Sequence, residues 1–123
     1  MKYGSKVWFI SDGFYPEFSS GKFTSHEAVC VLNPGKETAE IKITLYFEDR
    51  SKMEGFTASC QGERTNHIRM DLLKNHEGQG VPKGIPYAMM VQSNTPIIVQ
   101  YSRMDTTQAE MALMTTMAFP LGE

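Results

Sequence analysis

The chain has 123 residues, of which 41% are hydrophobic and 21% are charged, and its formal net charge is −2. This size and composition are typical of one globular domain over residues 1–123 and exclude a disordered chain. The small net charge excludes an overall basic surface of the kind that double-stranded DNA binding uses, although a local basic patch stays open.

The sequence contains no segment suited to secretion or to a membrane. The apolar run near the N-terminus covers residues 7–10, whereas a signal peptide needs a longer apolar core and a membrane helix needs about 20 apolar residues. We therefore expect a cytoplasmic location and no membrane insertion. Cys30 and Cys60 are too few for a disulfide framework, so we expect two reduced, buried thiols, with one disulfide between them as the alternative.

Alternation of apolar and polar residues predicts a chain built mainly of β-strands. In chain order, the predicted strands cover residues 6–10, 27–32, 38–47, 56–60, 65–72, 87–92, 97–103 and 113–119. The last strand has an alternative, because residues 108–114 are rich in good helix formers. A strand is favoured there because the rest of the chain is sheet and a sheet edge needs covering.

Turn chemistry predicts how some of these strands connect. Pro34 and Gly35 favour a type II turn that closes a hairpin between residues 27–32 and 38–47. Residues 93–96 read as a second turn, joining the strands on either side of it. In the strand over residues 65–72, Ile68, Met70 and Leu72 are expected to point inward.

About eight short strands with turns between them predict an all-β fold, an antiparallel β-sandwich resembling a jelly roll. The faces that carry Ile43 and Ile68 are expected to pack together. Two longer segments, residues 11–21 and 74–86, hold glycine and proline and are expected to form loops.

Four stretches carry a resemblance to a known family. They are FTSHEAVCVLN at 23–33, RTNHIR at 64–69, VQSNTPIIVQ at 91–100 and RMDTTQAEMAL at 103–113. In these residues the chain resembles the sensory-rhodopsin-transducer family, over about residues 8–119. The resemblance implies an antiparallel β-sandwich, a homotetramer, a cytoplasmic location, and no catalytic activity. It also implies one of three roles: relaying a signal from a membrane photoreceptor, binding DNA, or binding a small sugar-like ligand.

Several polar residues are candidates for ligand binding. His26 and Glu27 precede a buried strand, where their alternative role is to hold the loop before it. Arg64, His67 and Arg69 form a possible anion or sugar site, because arginine offers a planar fork of donors. Their alternative is a solvated sheet face or a subunit contact.

The leading candidate site contains Arg103, the last residue of a predicted strand, and Asp105 in the loop after it, where binding groups often gather. Its alternative is structural pairing of Arg103 with Glu110 or Glu27. The three histidines lack local ligand spacing, so we expect no metal and no cofactor.

Motifs of hydrolases, phosphate-binding loops and dinucleotide-binding folds are missing from the sequence. We therefore expect a non-enzymatic signalling or binding module that recognises a small polar ligand or a partner protein. The alternative is a nucleic-acid-associated regulator, for which Arg64, Arg69 and Arg103 would have to converge on one surface.

Overall fold

Eight antiparallel strands form nearly all the regular structure, and the predicted all-β fold is confirmed. The computed structural model describes residues 3–17, 19, 25–105 and 112–122. The strands are β1 (Ser5–Gly13), β2 (His26–Asn33), β3 (Ala39–Phe47), β4 (Met53–Cys60), β5 (Arg64–Arg69), β6 (Tyr87–Asp105), β7 (Ala112–Met117) and β8 (Phe119–Pro120). A short 3₁₀-helix, Met70–Leu72, follows β5.

The strands form two layers that share β6. Layer A has the order β4-β3-β6-β1-β8, and layer B has the order β5-β2-β6-β7. The first part of β6 pairs with β1 and β3, and the second part pairs with β2 and β7. One strand therefore carries the hydrogen-bond ladder from layer A into layer B.

The core lies between the two layers and receives every second residue of the long strands. Ile41, Ile43 and Leu45 of β3 are at most 1% exposed, and Ile68 of β5 is buried in the same cluster. The predicted packing of the Ile43 face on the Ile68 face is therefore confirmed. Apolar burial of this kind is the main favourable term in folding.

Residues 93–96, predicted to be a turn, lie inside β6 at its change of layer. Ser5 of β1 pairs with Ile97 and Val7 pairs with Gln92, so β6 has three more residues than β1 in this interval. This irregularity gives the strand the freedom to bend. The predicted hairpin is wrong, because the two halves of β6 pair with other strands and not with each other.

The predicted hairpin between residues 27–32 and 38–47 is also wrong, because β2 and β3 belong to different layers. Gly35 does not have the positive φ that a type II turn requires. Instead, buried Asn33 shapes the connection. Its Oδ1 accepts the N–H of Gly35 at 3.1 Å, and its Nδ2 donates to the carbonyls of Glu37 at 2.7 Å and Cys60 at 3.0 Å.

Two further details differ from the sequence predictions. The strand predicted over residues 65–72 ends at Arg69, and the 3₁₀-helix turns Leu72 outward, where it is 72% exposed. Cys60 is buried as expected, but Cys30 is half-buried, and neither forms a disulfide. The favoured strand over 113–119 is confirmed by β7 and β8, whereas residues 108–111 of the alternative helix lie outside the described residues.

Candidate ligand-binding site

A fully buried carboxylate, that of Glu27, lies inside one end of the sandwich. Glu27 alternates with half-buried His26 along β2 and therefore faces inward, where it is 0% exposed. Its Oε1 accepts the hydroxyl of Tyr87 at 2.5 Å, and its Oε2 accepts the backbone N–H of Phe14 at 2.7 Å and the hydroxyl of Tyr101. Burying a carboxylate is costly unless such donors replace its lost water.

The two tyrosine hydroxyls remain donors because their protons are held firmly. Burial raises the pKa of Tyr87 well above its ordinary value, and the negative charge of Glu27 raises it further. Burial and Glu27 also raise the pKa of Tyr101. Loss of either proton would place two negative charges side by side in a low-dielectric interior, which is strongly unfavourable.

Arg103 connects this buried group to the surface. Its side chain is 19% exposed, and its Nε lies 3.3 Å from the hydroxyl oxygen of Tyr101. Its Nη2 lies 3.4 Å from the carbonyl of Asp12 and 3.6 Å from the Asp12 carboxylate. The guanidinium also lies over the rings of Phe14 and Tyr101, at 6.0 and 5.8 Å from their centroids. We call Glu27, Tyr87, Tyr101 and Arg103 the carboxylate cluster.

The bend in β6 assembles this cluster. Tyr87 and Tyr101 lie fourteen positions apart on one strand, a separation of about 46 Å if the strand were straight. Both nevertheless reach the same carboxylate, so β6 must fold back across the core. Gly13 makes room for this arrangement, because a Cβ atom there would lie 2.9 Å from the ring of Tyr87.

A second charged group lies at the same end of layer B. Arg69 pairs in register with Ala28, next to Glu27. Its guanidinium forms two hydrogen bonds to the Asp71 carboxylate, at 2.8 and 2.7 Å, and this pairing raises the pKa of Arg69. Lys83 lies 5.3 Å from the ring centroid of Tyr15, the residue after Phe14.

The outer side of the carboxylate cluster adjoins a cleft of about 390 Å³. Its lining includes Ser11, Asp12, Tyr46, Phe47, Pro86 and Tyr87. Asp12 and Tyr87 therefore belong to both the cleft and the polar contacts of the cluster. Clefts that combine aromatic surface with a few fixed polar groups are the usual sites of small-ligand binding.

The seven predicted ligand-binding residues do not all come together. Glu27 and Arg103 lie opposite each other in the β2–β6 register, and Arg69 is at the same end. His26 begins β2 opposite Met104, and Asp105 ends β6 opposite Ala112.

The remaining two residues lie elsewhere. Arg64 pairs with Asn33 at the opposite end of layer B, and its guanidinium donates to the carbonyl of Glu63 at 3.2 Å. His67 is exposed on the outer face of layer B. Arg64 therefore lies apart from Arg69 and Arg103, which the alternative of a nucleic-acid-associated regulator would need on one surface. That alternative stays a prediction, which a gel-shift measurement over a salt series tests.

Sequence reasoning missed the tyrosines that complete the cluster. Tyr87 and Tyr101 begin and follow apolar runs, so their rings read as ordinary core residues. The signal that points to them is Glu27 itself, since an inward-facing carboxylate needs buried donors. Tyrosine supplies an apolar ring with a polar tip.

Two observations concern the described residues as a set. They contain no group of three or more His, Cys, Asp or Glu side chains placed to hold a metal ion. They also contain no helix with the length and apolar character needed to cross a membrane.

The geometry defines a class: an antiparallel β-sandwich with a buried carboxylate cluster at one end and a cleft beside it. A family model described as Anabaena sensory rhodopsin transducer matches residues 3–120. The chain therefore belongs to the Anabaena sensory rhodopsin transducer family, as the resemblance of its four stretches indicated.

Two solved structures are similar to this chain. The crystal structure of Thermotoga maritima 1070 has 36% sequence identity and a TM-score of 0.85, covering 96% of both chains. The Anabaena sensory rhodopsin transducer has 34% identity and a TM-score of 0.74, covering 89% of this chain and 96% of its own. A comparison with curated proteins finds no match.

Proposed function

We propose that this chain is a non-enzymatic signalling module that binds a small polar, sugar-like ligand at the carboxylate cluster. The observation that carries the proposal is the hydrogen-bonded series from buried Glu27 through Tyr101 to Arg103. This series of hydrogen bonds holds the guanidinium of Arg103 at the boundary between the core and the surface. A positioned, partly desolvated donor of this kind is what recognition of hydroxyl or carboxylate oxygens requires.

Arg103 retains capacity for a ligand. A guanidinium has five N–H donors in a planar fork, and its contacts with Tyr101 and Asp12 use a part of them. The carboxylate of Asp12 is 88% exposed and 3.6 Å away, so a ligand oxygen can replace it at small cost. The half-buried ring of Phe14 lies under the guanidinium and adds apolar surface next to it, against which a sugar ring can pack.

A binding role explains the cluster better than a catalytic one. The hydroxyls of Tyr87 and Tyr101 both donate to Glu27, and their raised pKa values oppose the proton loss that a general base or nucleophile needs. The carboxylate of Glu27 is occupied by three donors. Such a group supports its neighbours rather than reacting.

The test is a thermal-shift screen of sugars, sugar acids and related polar metabolites. A ligand that binds the folded state raises its melting temperature by mass action. We expect Arg103→Gln to abolish the shift given by any hit, whereas Arg64→Gln, at the far end of layer B, retains it. No shift across a broad library, or equal shifts in both variants, would contradict a ligand site at Arg103.

We also propose that the module works as a homotetramer and that β7 contributes one of the contacts. In the part of the chain described, β7 pairs on one side only, with β6. Leu113, Met114 and Met117 of β7 are 73%, 43% and 57% exposed. An apolar edge strand of this kind favours pairing with another chain.

Light scattering tests this assembly. We expect a tetramer for the unaltered chain and a smaller species for Leu113→Lys. Leu72→Lys is the matched control, because Leu72 is 72% exposed but lies in the 3₁₀-helix instead of at the β7 edge. A monomeric parent chain, or a Leu113→Lys variant that stays tetrameric, would contradict the proposal.

The proposed signalling role includes a partner and a location. One similar structure is named as the transducer of a sensory rhodopsin. We extend to this chain a cytoplasmic role in which a membrane photoreceptor or another signalling protein reads the ligand-bound state. Co-purification with such a partner that depends on the ligand found in the screen would support this extension, and ligand-independent behaviour would contradict it.

A further inference from the structure

A second polar pocket lies on the outer face of layer A, on the opposite side of that layer from the core. It has a volume of about 330 Å³, and its lining includes Lys42, Thr44, Glu54, Thr57, His76 and Gln92. Thr57 of β4 and Gln92 of β6 flank Lys42 of β3 in the strand register. These three side chains therefore form a row across three strands.

A β-bulge shapes one wall of this pocket. Ile43 pairs with Phe56 and Leu45 pairs with Met53, so Glu54 and Gly55 both oppose Thr44. Gly55 has a φ of +89°, a conformation that glycine adopts without strain. Bulges of this kind often redirect side chains beside functional sites.

The glycine at the bulge also admits a residue from a distant loop. A Cβ atom at Gly55 would lie 2.9 Å from Cδ2 of His76 and 3.3 Å from its backbone nitrogen. The segment around His76 therefore packs directly on the backbone of β4. This contact brings an imidazole to the rim of the polar row.

The donors in the pocket have no competing partners among the residues with described positions. Lys42, Thr57 and Gln92 form no side-chain hydrogen bond or ion pair with any of those residues. Thr44 is only 7% exposed, and its hydroxyl likewise has no protein partner there. The described residues include no enclosed side-chain polar atom without a partner, so this hydroxyl is open to the pocket, where water or a ligand can meet it.

The charges at this pocket favour an anion. The carboxylate of Glu54 is paired with Lys52 at 3.5 Å, so the ammonium of Lys42 leaves an excess of positive charge. Glu40 lies on the same face of β3 and lines a neighbouring cleft together with Lys42 and Gln92, although it does not line this pocket. Its charge lowers the attraction for an anion without blocking the donors.

We propose that this pocket is a second binding site, separate from the carboxylate cluster, and that it takes a small oxyanion, either a carboxylate or a phosphate. Lys42 supplies the charge, and the hydroxyls of Thr44 and Thr57 and the amide of Gln92 supply hydrogen bonds. His76 closes the rim. The inference is independent of the proposed function, because the two sites share no residue.

The experiment is an amide NMR titration of the full chain with inorganic phosphate and, separately, with acetate, at constant ionic strength adjusted with chloride. We expect saturable shifts centred on residues 42–44, 55–57, 76 and 92 for at least one of the two anions. Lys42→Met should weaken binding about tenfold or more, the loss expected for one charge-assisted hydrogen bond. Glu40→Gln should tighten it.

Lys36→Met is the control, because Lys36 is exposed in a loop outside the pocket. Its titration should match that of the parent chain, and melting curves should show that all variants are folded. The two anions distinguish a phosphate site from a carboxylate site. Shifts that spread over the surface without saturating, or an unchanged titration in Lys42→Met, would overturn the proposal.

Discussion

Glu27 and Arg103 lie opposite each other on neighbouring strands, but their charged groups are joined through the hydroxyl of Tyr101. The carboxylate is thus satisfied in the core by neutral donors. The guanidinium stays at the surface, where its charge costs less to solvate. This separation leaves Arg103 positioned by the core and still accessible to a ligand.

Removal of the buried carboxylate should destabilise the fold strongly. Glu27→Ala leaves the hydroxyls of Tyr87 and Tyr101 and the N–H of Phe14 without an acceptor, at a cost of at least about 3 kcal/mol. Denaturant unfolding measures the change in the free energy of unfolding. Glu37→Gln, at an exposed position, should change it by less than about 0.5 kcal/mol. Equal stabilities for the two variants would be inconsistent with a buried acceptor.

The two tyrosines should be energetically coupled. Tyr87→Phe and Tyr101→Phe each remove one hydrogen bond to a charged group, worth about 1.5–3 kcal/mol. Because both hydroxyls serve one carboxylate, the double variant should depart from the sum of the single variants by at least about 0.5 kcal/mol. A double-mutant cycle measures this coupling. Strict additivity would show that the two hydroxyls act independently.

The same tyrosines should make stability fall at high pH. In the unfolded chain their phenols lose protons near pH 10, whereas in the folded chain burial and Glu27 raise the pKa of both. Above about pH 10 the unfolded state therefore binds fewer protons, and the free energy of unfolding decreases as pH rises.

Denaturant unfolding between about pH 8 and pH 11 measures this effect. Replacement of both tyrosines by phenylalanine is the control, and it should flatten the alkaline part of the profile. A parent chain whose stability is constant over this range would contradict the assignment of the two hydroxyls as buried donors.

Close packing at the bend of β6 should make Gly4 irreplaceable. A Cβ atom at Gly4 would lie 2.2 Å from the carbonyl oxygen of Ile97, and its φ is +97°. Gly4→Ala should therefore cost at least about 2 kcal/mol. Gly78 has a φ of +79° with no atom within 4 Å of an added Cβ, so Gly78→Ala reports conformational strain alone, about 1 kcal/mol.

The unfolding midpoints of the two alanine variants separate the cost of the close contact with Ile97 at Gly4 from the cost of the positive φ at Gly78. The Gly4 variant should be clearly the less stable of the two. If both lose the same stability, the N-terminal segment does not pack against Ile97 as described.

The sequence predicted the faces of the strands well and their partners poorly. In β3, alternation predicts that the face carrying Ile43 points inward, and Ile41 and Leu45 on the same face are buried with it. Alternation carries no information on which strand lies alongside. The turn residues Pro34 and Gly35 are compatible with a hairpin and with a connection between layers. In this fold they lie in a connection between layers, from β2 to β3.

The bend in β6 illustrates the same limit. Residues 93–96 include Asn94 and Pro96, typical turn residues, yet β6 runs through them as one strand, with 94–96 unpaired in the register. Asn94 accepts the N–H of Glu40 at 2.8 Å through its side chain. This tertiary contact gives a backbone N–H of the neighbouring strand β3 its hydrogen-bond acceptor. The local sequence pattern of residues 93–96 does not predict it.

The site was predictable in part for a physical reason. Glu27 and Arg103 attract attention as charged residues beside apolar strands, and both belong to the carboxylate cluster. Tyr87 and Tyr101 do not stand out in the sequence, because their rings fit the pattern of ordinary core residues. Arg64 and His67 share a short strand with Arg69, but strand length separates Arg64 from the cluster.

One buried carboxylate, that of Glu27, holds the hydroxyls of Tyr87 and Tyr101 and so positions Arg103. Proton NMR of the two hydroxyl groups tests it most directly, with Tyr87→Phe and Tyr101→Phe assigning the signals. We expect two slowly exchanging hydroxyl protons in the parent chain and their loss in Glu27→Ala. Rapid exchange of both in the parent, or their persistence in a folded Glu27→Ala variant, would contradict it.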